Sequence, residues 1–129
     1  MRKHSLCCAT VLLCILFAVS AVSCTRKPKG TPLAENDLKT LMAKQVVFKA
    51  ETKNFNTDFV LEPDGRATSE FDGRHSDGKW RIDGDGFCLK WEALLEGEEC
   101  YNFYRVGENA FEAFKTSGGG FSMDLKIKH

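Results

Sequence analysis

Residues 77–106 read DGKWRIDGDGFCLKWEALLEGEECYNFYRV, and this stretch predicts three consecutive antiparallel strands. Apolar and polar side chains alternate in it with a period of two, which places one set on each face of a sheet. The run DGDG at residues 83–86 supplies the positive-φ positions of a tight hairpin. If the next hairpin is symmetric about Leu94, then Cys88 lies directly opposite Cys100. Because opposed Cα atoms can approach to about 4.5 Å, which is within reach of a disulfide, we predict that these two cysteines are bonded.

The same alternation continues on both sides of this stretch. Further strands are expected at residues 45–52, 57–62, 66–71, 110–116 and from Phe121 onward. Residues 72–78 are predicted as a polar connection, and a short helix capped by Asn36 or Asp37 is expected to plug one end of the sheet. Eight short strands joined by hairpin-length connections predict an all-β, eight-stranded antiparallel meander over residues 33–129, as a small barrel or a sandwich.

The composition suits one small domain with an aromatic core. The chain has 129 residues, with ten Phe, two Trp and two Tyr. Residues 31–129 hold 13 Lys+Arg against 18 Asp+Glu, a difference of −5. A mildly acidic globular part argues against nucleic acid as a partner, and we expect a monomer.

The N-terminus predicts export. Positive charge at residues 2–4 precedes an apolar run at residues 6–19, and the small residues of Ala21-Val22-Ser23 precede Cys24. This charge pattern, length and cleavage chemistry are typical of a secretory signal peptide over residues 1–23. The alternative is an uncleaved anchor, because residues 5–24 carry no charge and, at about 20 residues, are just long enough to span a bilayer.

The cysteine count points to a lipid anchor. Three of the six cysteines leave with the signal peptide, and an odd number then remains in an oxidising compartment. The run Ala21-Val22-Ser23-Cys24 resembles the lipobox of bacterial lipoproteins, although that family usually has Leu where this chain has Ala21. The resemblance implies a palmitate-type acyl anchor on Cys24, and Thr25 after it implies an outer-membrane lipoprotein that faces the periplasm. The alternative is a secreted protein with a free or intermolecular Cys24.

Residues 25–32, TRKPKGTP, are basic and lack apolar periodicity. They predict a flexible tether between Cys24 and the domain. Its positive charges either lie against anionic head groups or are simply solvated.

No pattern in the chain indicates catalysis, a cofactor or a resident metal. The DGDG run at residues 83–86 continues with Phe87 where a calcium loop needs a third oxygen ligand, and the glycines after Ser117 lack the Lys-Ser/Thr of a phosphate loop. His75 and Ser76 are sequence neighbours, whereas a catalytic triad is assembled in space. The alternative is adventitious metal binding, if Asp72, Asp77, Asp83 and Asp85 converge on one rim.

The loop at residues 92–99 is the predicted protein-binding site. Its acidic and apolar side chains stand on a hairpin whose base the disulfide would pin, and such pre-organisation lowers the ordering cost of binding. The predicted contact residues are Glu92, Leu94, Leu95, Glu96, Glu98 and Glu99. The alternative is that the two leucines fold back over the sheet while the glutamates are solvated.

The runs FVLEPDGRATSEF, GKWRIDGDGFCLKW and CYNFYRVGENAF resemble small secreted domains of unknown function from Gram-negative bacteria, over residues 45–129. That resemblance implies no activity. The chain is also similar, more weakly, to the periplasmic lipoprotein inhibitors of lysozyme, which pair a lipobox with a small eight-stranded barrel and a disulfide. Their inhibitory motif has no counterpart here, so no functional residue is carried over.

Two functions follow as expectations. The first is a non-catalytic binding or inhibitory module, anchored in the envelope, with a basic protein such as lysozyme as its partner. The alternative is a carrier that holds a small ligand or lipid inside the barrel. That interior would be lined by Trp80, Phe87, Trp91, Phe103 and Phe121. Aromatic side chains this large fill a small eight-stranded barrel, so a packed core is expected.

Overall fold

A computed structural model describes residues 26–71, 73–93 and 97–129 of the chain. The predicted signal peptide (residues 1–23), Cys24, Thr25, Asp72, Leu94, Leu95 and Glu96 lie outside the described residues. The elements, in chain order, are β1 (Thr31–Pro32), α1 (Glu35–Leu41), β2 (Val46–Glu51), β3 (Asn56–Leu61), β4 (Arg66–Phe71), β5 (Arg74–Asp83), β6 (Gly86–Trp91), β7 (Glu99–Gly107), β8 (Ala110–Lys115) and β9 (Phe121–Ile127).

The strands β2 to β9 form a closed antiparallel barrel with up-and-down connectivity. Each of these strands pairs with the next one in the chain, and β9 pairs back with β2, where Phe48 lies opposite Ile127. The two-residue strand β1 adds to β7 beside the end of β6. Closure leaves the barrel without the long unpaired edges that invite aggregation. The predicted all-β, eight-stranded meander is confirmed, as a barrel.

Alternate residues of every strand fill the barrel with apolar side chains. The ring of Phe48 meets those of Phe103 and Phe111 edge to face, with centroids 6.2 and 5.9 Å apart. Full burial of one such side chain stabilises the fold by roughly 1.5–3 kcal/mol. Gly78 belongs to the same core, because a Cβ there would come 2.5 Å from the Lys90 carbonyl oxygen and 2.7 Å from the ring of Trp91. The glycine therefore lets that indole lie across β5.

Helix α1 closes one end of the barrel, as predicted, but begins earlier than predicted. Leu38 is fully buried in the same core as the barrel interior. Ala34, rather than Asn36 or Asp37, is the N-cap residue, and its N–H donates to the Asp37 carboxylate. The N–H of Glu35 donates to Asp85 Oδ1 at 2.9 Å. A cap that comes from a hairpin 50 residues away cannot be read from local sequence. Among the described residues, no helix has the length and apolar character needed to cross a bilayer.

Residues 26–32, named here the N-terminal strap, contact the barrel. The guanidinium of Arg26 is 2.6 Å from Glu112 and 3.1 Å from Asp124, and it lies 3.6 Å from the centroid of the Phe121 ring. The N–H of Lys29 donates to Glu112 at 2.8 Å. Composition alone does not show that the basic residues of this segment have acidic partners on β8 and β9.

The connection predicted at residues 72–78 is mostly strand. β5 begins at Arg74 and pairs with β4 as far as Phe71 opposite Arg74, so the two strands form a hairpin at one end of the barrel. Residues 74–78 carry no apolar side chain on either face, because Arg74, Ser76 and Gly78 alternate with His75 and Asp77, so a pattern of apolar and polar residues does not identify them as a strand. Gly73 has φ 72°, as a tight turn needs.

A bulge between β8 and β9 turns Phe121 away from the interior. The register shifts between Ala113 and Phe114, and Phe121 pairs with Phe114 on the outer face, with ring centroids 5.5 Å apart. The unbroken alternation predicted from Phe121 to Ile127 is therefore wrong for Phe121. The extra residue of the bulge places the side chain before it on the opposite face of the sheet.

Candidate functional site

The predicted disulfide is present. Cys88 and Cys100 are paired neighbours on β6 and β7, bonded through their sulfurs, with Cα atoms 4.0 Å apart. The bond lies on the outer face of the barrel and joins the two strands at the base of the loop at residues 92–99. It also removes the two sulfurs as metal ligands: with Glu98 they form a group of donor atoms within 4.8 Å of one another, but a metal needs free thiolates.

The predicted acidic loop is only partly free to bind a partner. Glu98 accepts two hydrogen bonds from the guanidinium of Arg81, at 2.7 and 2.9 Å, and these bonds hold the pKa of Glu98 below its usual value. Glu99 lies 3.8 Å from the ammonium of Lys115. Glu92 is exposed, and no ion pair to it is present among the described residues. The other predicted contact residues, Leu94, Leu95 and Glu96, lie outside the described residues.

An apolar cavity at the end of the barrel opposite α1 is a better-defined candidate binding site than the loop at residues 92–99. This cavity, named here the open-end cup, has a volume of about 350 Å³. It lies where β3, β4 and β5 meet the end of β6. Its lining residues are Phe55, Thr57, Phe59, Ser69, Phe71, Ser76, Trp91 and Ala93.

Aromatic pairs build the walls of the open-end cup. Phe55 and Phe71 meet edge to face with ring centroids 5.7 Å apart, and Phe59 lies against Trp91 at 5.4 Å. Phe71 is 49% exposed and, with Val106, is one of the two large apolar residues that stand out from the described surface. An exposed aromatic at the edge of an apolar cavity is typical of a binding surface.

The position of Phe71 follows from the strand geometry. Ala67, Ser69 and Phe71 share the inward face of β4, and the β4–β5 hairpin carries the last of them to the end of the barrel. The hydroxyl of Thr57 donates to the Glu70 carbonyl oxygen and so ties β3 to this hairpin. Sequence reasoning missed the cup because Phe55 and Phe71 fall beside turns. The period-two pattern of β4 was the available signal for Phe71.

Three carboxylates stand on the outer face beside the cup and are named here the acidic rim: Glu70, Asp77 and Glu92. Glu70 and Asp77 flank His75, whose ring nitrogens lie 3.8 and 2.9 Å from their carboxylates. Asp77 and Glu92 lie on adjacent strands, joined by the Glu92 N–H to the Asp77 carbonyl oxygen at 2.9 Å. No lysine or arginine in the described ranges pairs with any of the three, so their charge is available to a cation.

The barrel interior is filled. A cavity bounded by Phe48, Phe87 and Phe103, among others, measures about 10 Å³, roughly the space of one water molecule. Phe121, predicted to line a ligand chamber, lies outside it. A ligand of any size would therefore have to open the core.

The residues considered for chemistry are not assembled into a site. Ser76 faces the cup, whereas His75 is on the opposite face of β5, as strand alternation requires. Asp77 and Asp83 are six residues apart along the same strand, about 20 Å, so the aspartates do not converge on one rim. Asp85 is engaged by α1, and Asp72 lies outside the described residues.

Comparison with known proteins finds no matching protein family, no similar curated protein and no similar solved structure.

Proposed function

We propose that this chain is an exported, lipid-anchored and non-catalytic binding protein of the bacterial envelope, whose partner is a protein that docks on the open end of the barrel. The observation that carries the proposal is the open-end cup with Phe71 at its edge. An apolar side chain of the partner would enter the cup, and a neighbouring lysine or arginine would meet the acidic rim. Buried anchors surrounded by polar contacts are how protein interfaces gain affinity.

The shape of the cup favours a protein over a small molecule. Ligand pockets usually enclose most of the ligand surface and begin at about 300 Å³, near the volume of this cup. The filled interior prevents a ligand from going deeper. The acidic rim, whose carboxylates have no lysine or arginine partner among the described residues, adds a charged contact that a hydrocarbon ligand cannot use, whereas a cationic protein can.

Export and anchoring are supported by the N-terminal pattern and by the disulfide. Disulfides persist in oxidising compartments, the periplasm among them. If Cys24 is acylated, it stands two residues before Arg26, which the barrel binds. Two residues span at most about 7 Å, so the anchored barrel would sit close to the membrane.

Binding of lysozyme, a cationic enzyme, tests the proposal. Surface plasmon resonance, which reports both affinity and association rate, would compare the parent chain with Phe71→Ser and Glu92→Lys. We expect Phe71→Ser to weaken binding at least about tenfold, as loss of an interface anchor does. Glu92→Lys should slow association, because the rim steers the cation.

Each variant has a matched control at the other end of the molecule. Val106→Ser removes an apolar residue of similar exposure, and Glu108→Lys reverses an exposed charge in the β7–β8 turn. Equal affinity of Phe71→Ser and Val106→Ser would contradict the proposed surface. Complete absence of lysozyme binding would remove lysozyme as the partner, and crosslinking from position 71 would then test the surface.

A small-ligand carrier is the second candidate, and the uncharged lining of the cup favours it. The ligand would lie in the cup and not in the interior. Native mass spectrometry of the purified protein would then find a bound apolar molecule that Phe71→Ser releases. An unliganded mass for the parent chain would reject this candidate.

A further inference from the structure

A second cavity lies at the opposite end of the barrel, between α1 and the strands β2 and β9. Its volume is about 680 Å³, within the usual range for small-molecule sites. Nothing in the proposed function uses it. We name it the cationic cleft, after the residues that line it.

The cleft has an apolar floor. Leu41 from α1, Val46 from β2 and Ile127 from β9 converge there, and all three belong to or pack against the barrel core. These side chains are therefore held in place by the core behind them. A short apolar group could lie on them without reorganising the protein.

Positive charge surrounds this floor. Lys44, Arg105 and Lys128 contribute to the lining, together with His129, and Asp37 supplies its one acidic side chain. Asp37 accepts the Ala34 N–H, and Lys128 is paired with Asp58 at 2.7 Å. No carboxylate of the described residues pairs with Lys44 or Arg105, which leaves both cations available.

Arg105 is held in a defined position. Its guanidinium lies 4.8 Å from the centroid of the Phe111 ring, and its Nη1 donates to the Glu108 carbonyl oxygen at 3.0 Å. A guanidinium has five N–H donors, so this bond leaves most of them free. A positioned arginine with free donors suits a carboxylate or a phosphate, which it can bind through two parallel bonds.

We propose that the cationic cleft binds a small amphiphilic anion, with a carboxylate or phosphate head on Arg105 and Lys44 and a short apolar body on Leu41, Val46 and Ile127. The ligand class follows from the combination of free cations and an apolar floor in one cavity. The site is independent of the open-end cup, which lies at the other end of the barrel, beside the acidic rim.

Titration followed by amide NMR tests the cleft with three probes: decanoate, decyl phosphate and decyltrimethylammonium. At about 1 mM probe, which half-fills a site of millimolar affinity, both anions should shift the amides of Leu41, Val46 and Ile127. The cation of equal chain length should not. The stronger of the two anions identifies the head group that the cleft prefers.

Two variants locate the head group, and two controls match them. Arg105→Gln and Lys44→Gln should each weaken anion binding at least about fivefold, whereas Arg74→Gln and Lys53→Gln, exposed cations near the open end, should leave it unchanged. Lys44 makes no ion pair among the described residues, so its variant tests the site even if Arg105→Gln is less stable. Shifts confined to the cup, equal binding of anion and cation, or no shift with either anion would overturn the proposal.

Discussion

At the scale of single residues, Glu112 shows how a charge can be buried on the outside of a barrel. It lies on the outer face of β8 and is 1% exposed, because the N-terminal strap covers it. Burial raises the pKa of Glu112, but the hydrogen bonds from the Lys29 N–H and the Arg26 guanidinium outweigh this, and the pKa lies below its usual value of 4.5. The ionised form is therefore the one that the folded state favours.

This ionisation predicts a pH-dependent stability. Because the folded pKa is lowered, the contribution of Glu112 is complete above about pH 4.5 and is lost as the pH falls through the folded value. Glu112→Gln should lower the free energy of unfolding by about 1–3 kcal/mol at pH 7. The difference from the parent chain should shrink below about pH 4.5, measured by urea unfolding across that range. The exposed control Glu108→Gln should match the parent, and a Glu112→Gln deficit that is constant with pH would contradict the assignment.

The contacts of some residues can be predicted from the sequence, and those of others cannot. Cys88 and Cys100 are predictable because two alternating strands and a short loop determine which residues oppose each other. Glu112 is not, because alternation places it on the outer face, where solvent is the expected neighbour. Its burial depends on Arg26, which is 86 residues away in sequence.

At the scale of elements, the pair β6–β7 depends on the disulfide. The bond closes a loop with a sequence separation of 12 residues, next to the predicted loop at residues 92–99. It also joins two strands that share only three paired positions, fewer than the other strand pairs of the barrel. The disulfide therefore supplements the few backbone hydrogen bonds between β6 and β7.

Removing this disulfide should destabilise the fold measurably. By loop-closure entropy the double variant Cys88→Ala/Cys100→Ala should lose about 3 kcal/mol of unfolding free energy. Urea unfolding of the parent chain, with and without reductant, should show the same difference. Addition of reductant to the double variant is the control and should change nothing. A double variant as stable as the oxidised parent would show that the ladder alone suffices.

Elements are predictable where alternation is regular and only partly so elsewhere. β4 has the predicted range and β9 begins at the predicted residue, because turn residues precede each regular pattern. The bulge beside Phe114 is invisible in sequence, since one extra residue changes facing without changing composition. The first half of β5 is missed because its inward face, with Arg74, Ser76 and Gly78, carries no apolar side chain to alternate with the polar outer face.

At the scale of the whole molecule, the two ends of the barrel have opposite character. One end is covered by α1 and presents the cationic cleft, while the other presents the apolar cup beside the acidic rim. The eight-stranded meander could be predicted from strand number and short connections, whereas its closure into a barrel, and not a sandwich, depends on the pairing of β9 with β2. The sequence does not predict which end of the barrel is covered, because that depends on where the strap and the helix cross the barrel. The surface proposed for binding became apparent only once the strands were placed.

Site-specific photocrosslinking in cells tests the central claim most directly. A photoreactive phenylalanine analogue at position 71 should give a discrete adduct with one envelope protein, and the crosslinked peptide should carry an apolar residue next to Lys or Arg. The same analogue at position 106, of similar exposure at the other end, should not give that adduct. An identical adduct from both positions, or none from position 71, would contradict binding at the open end.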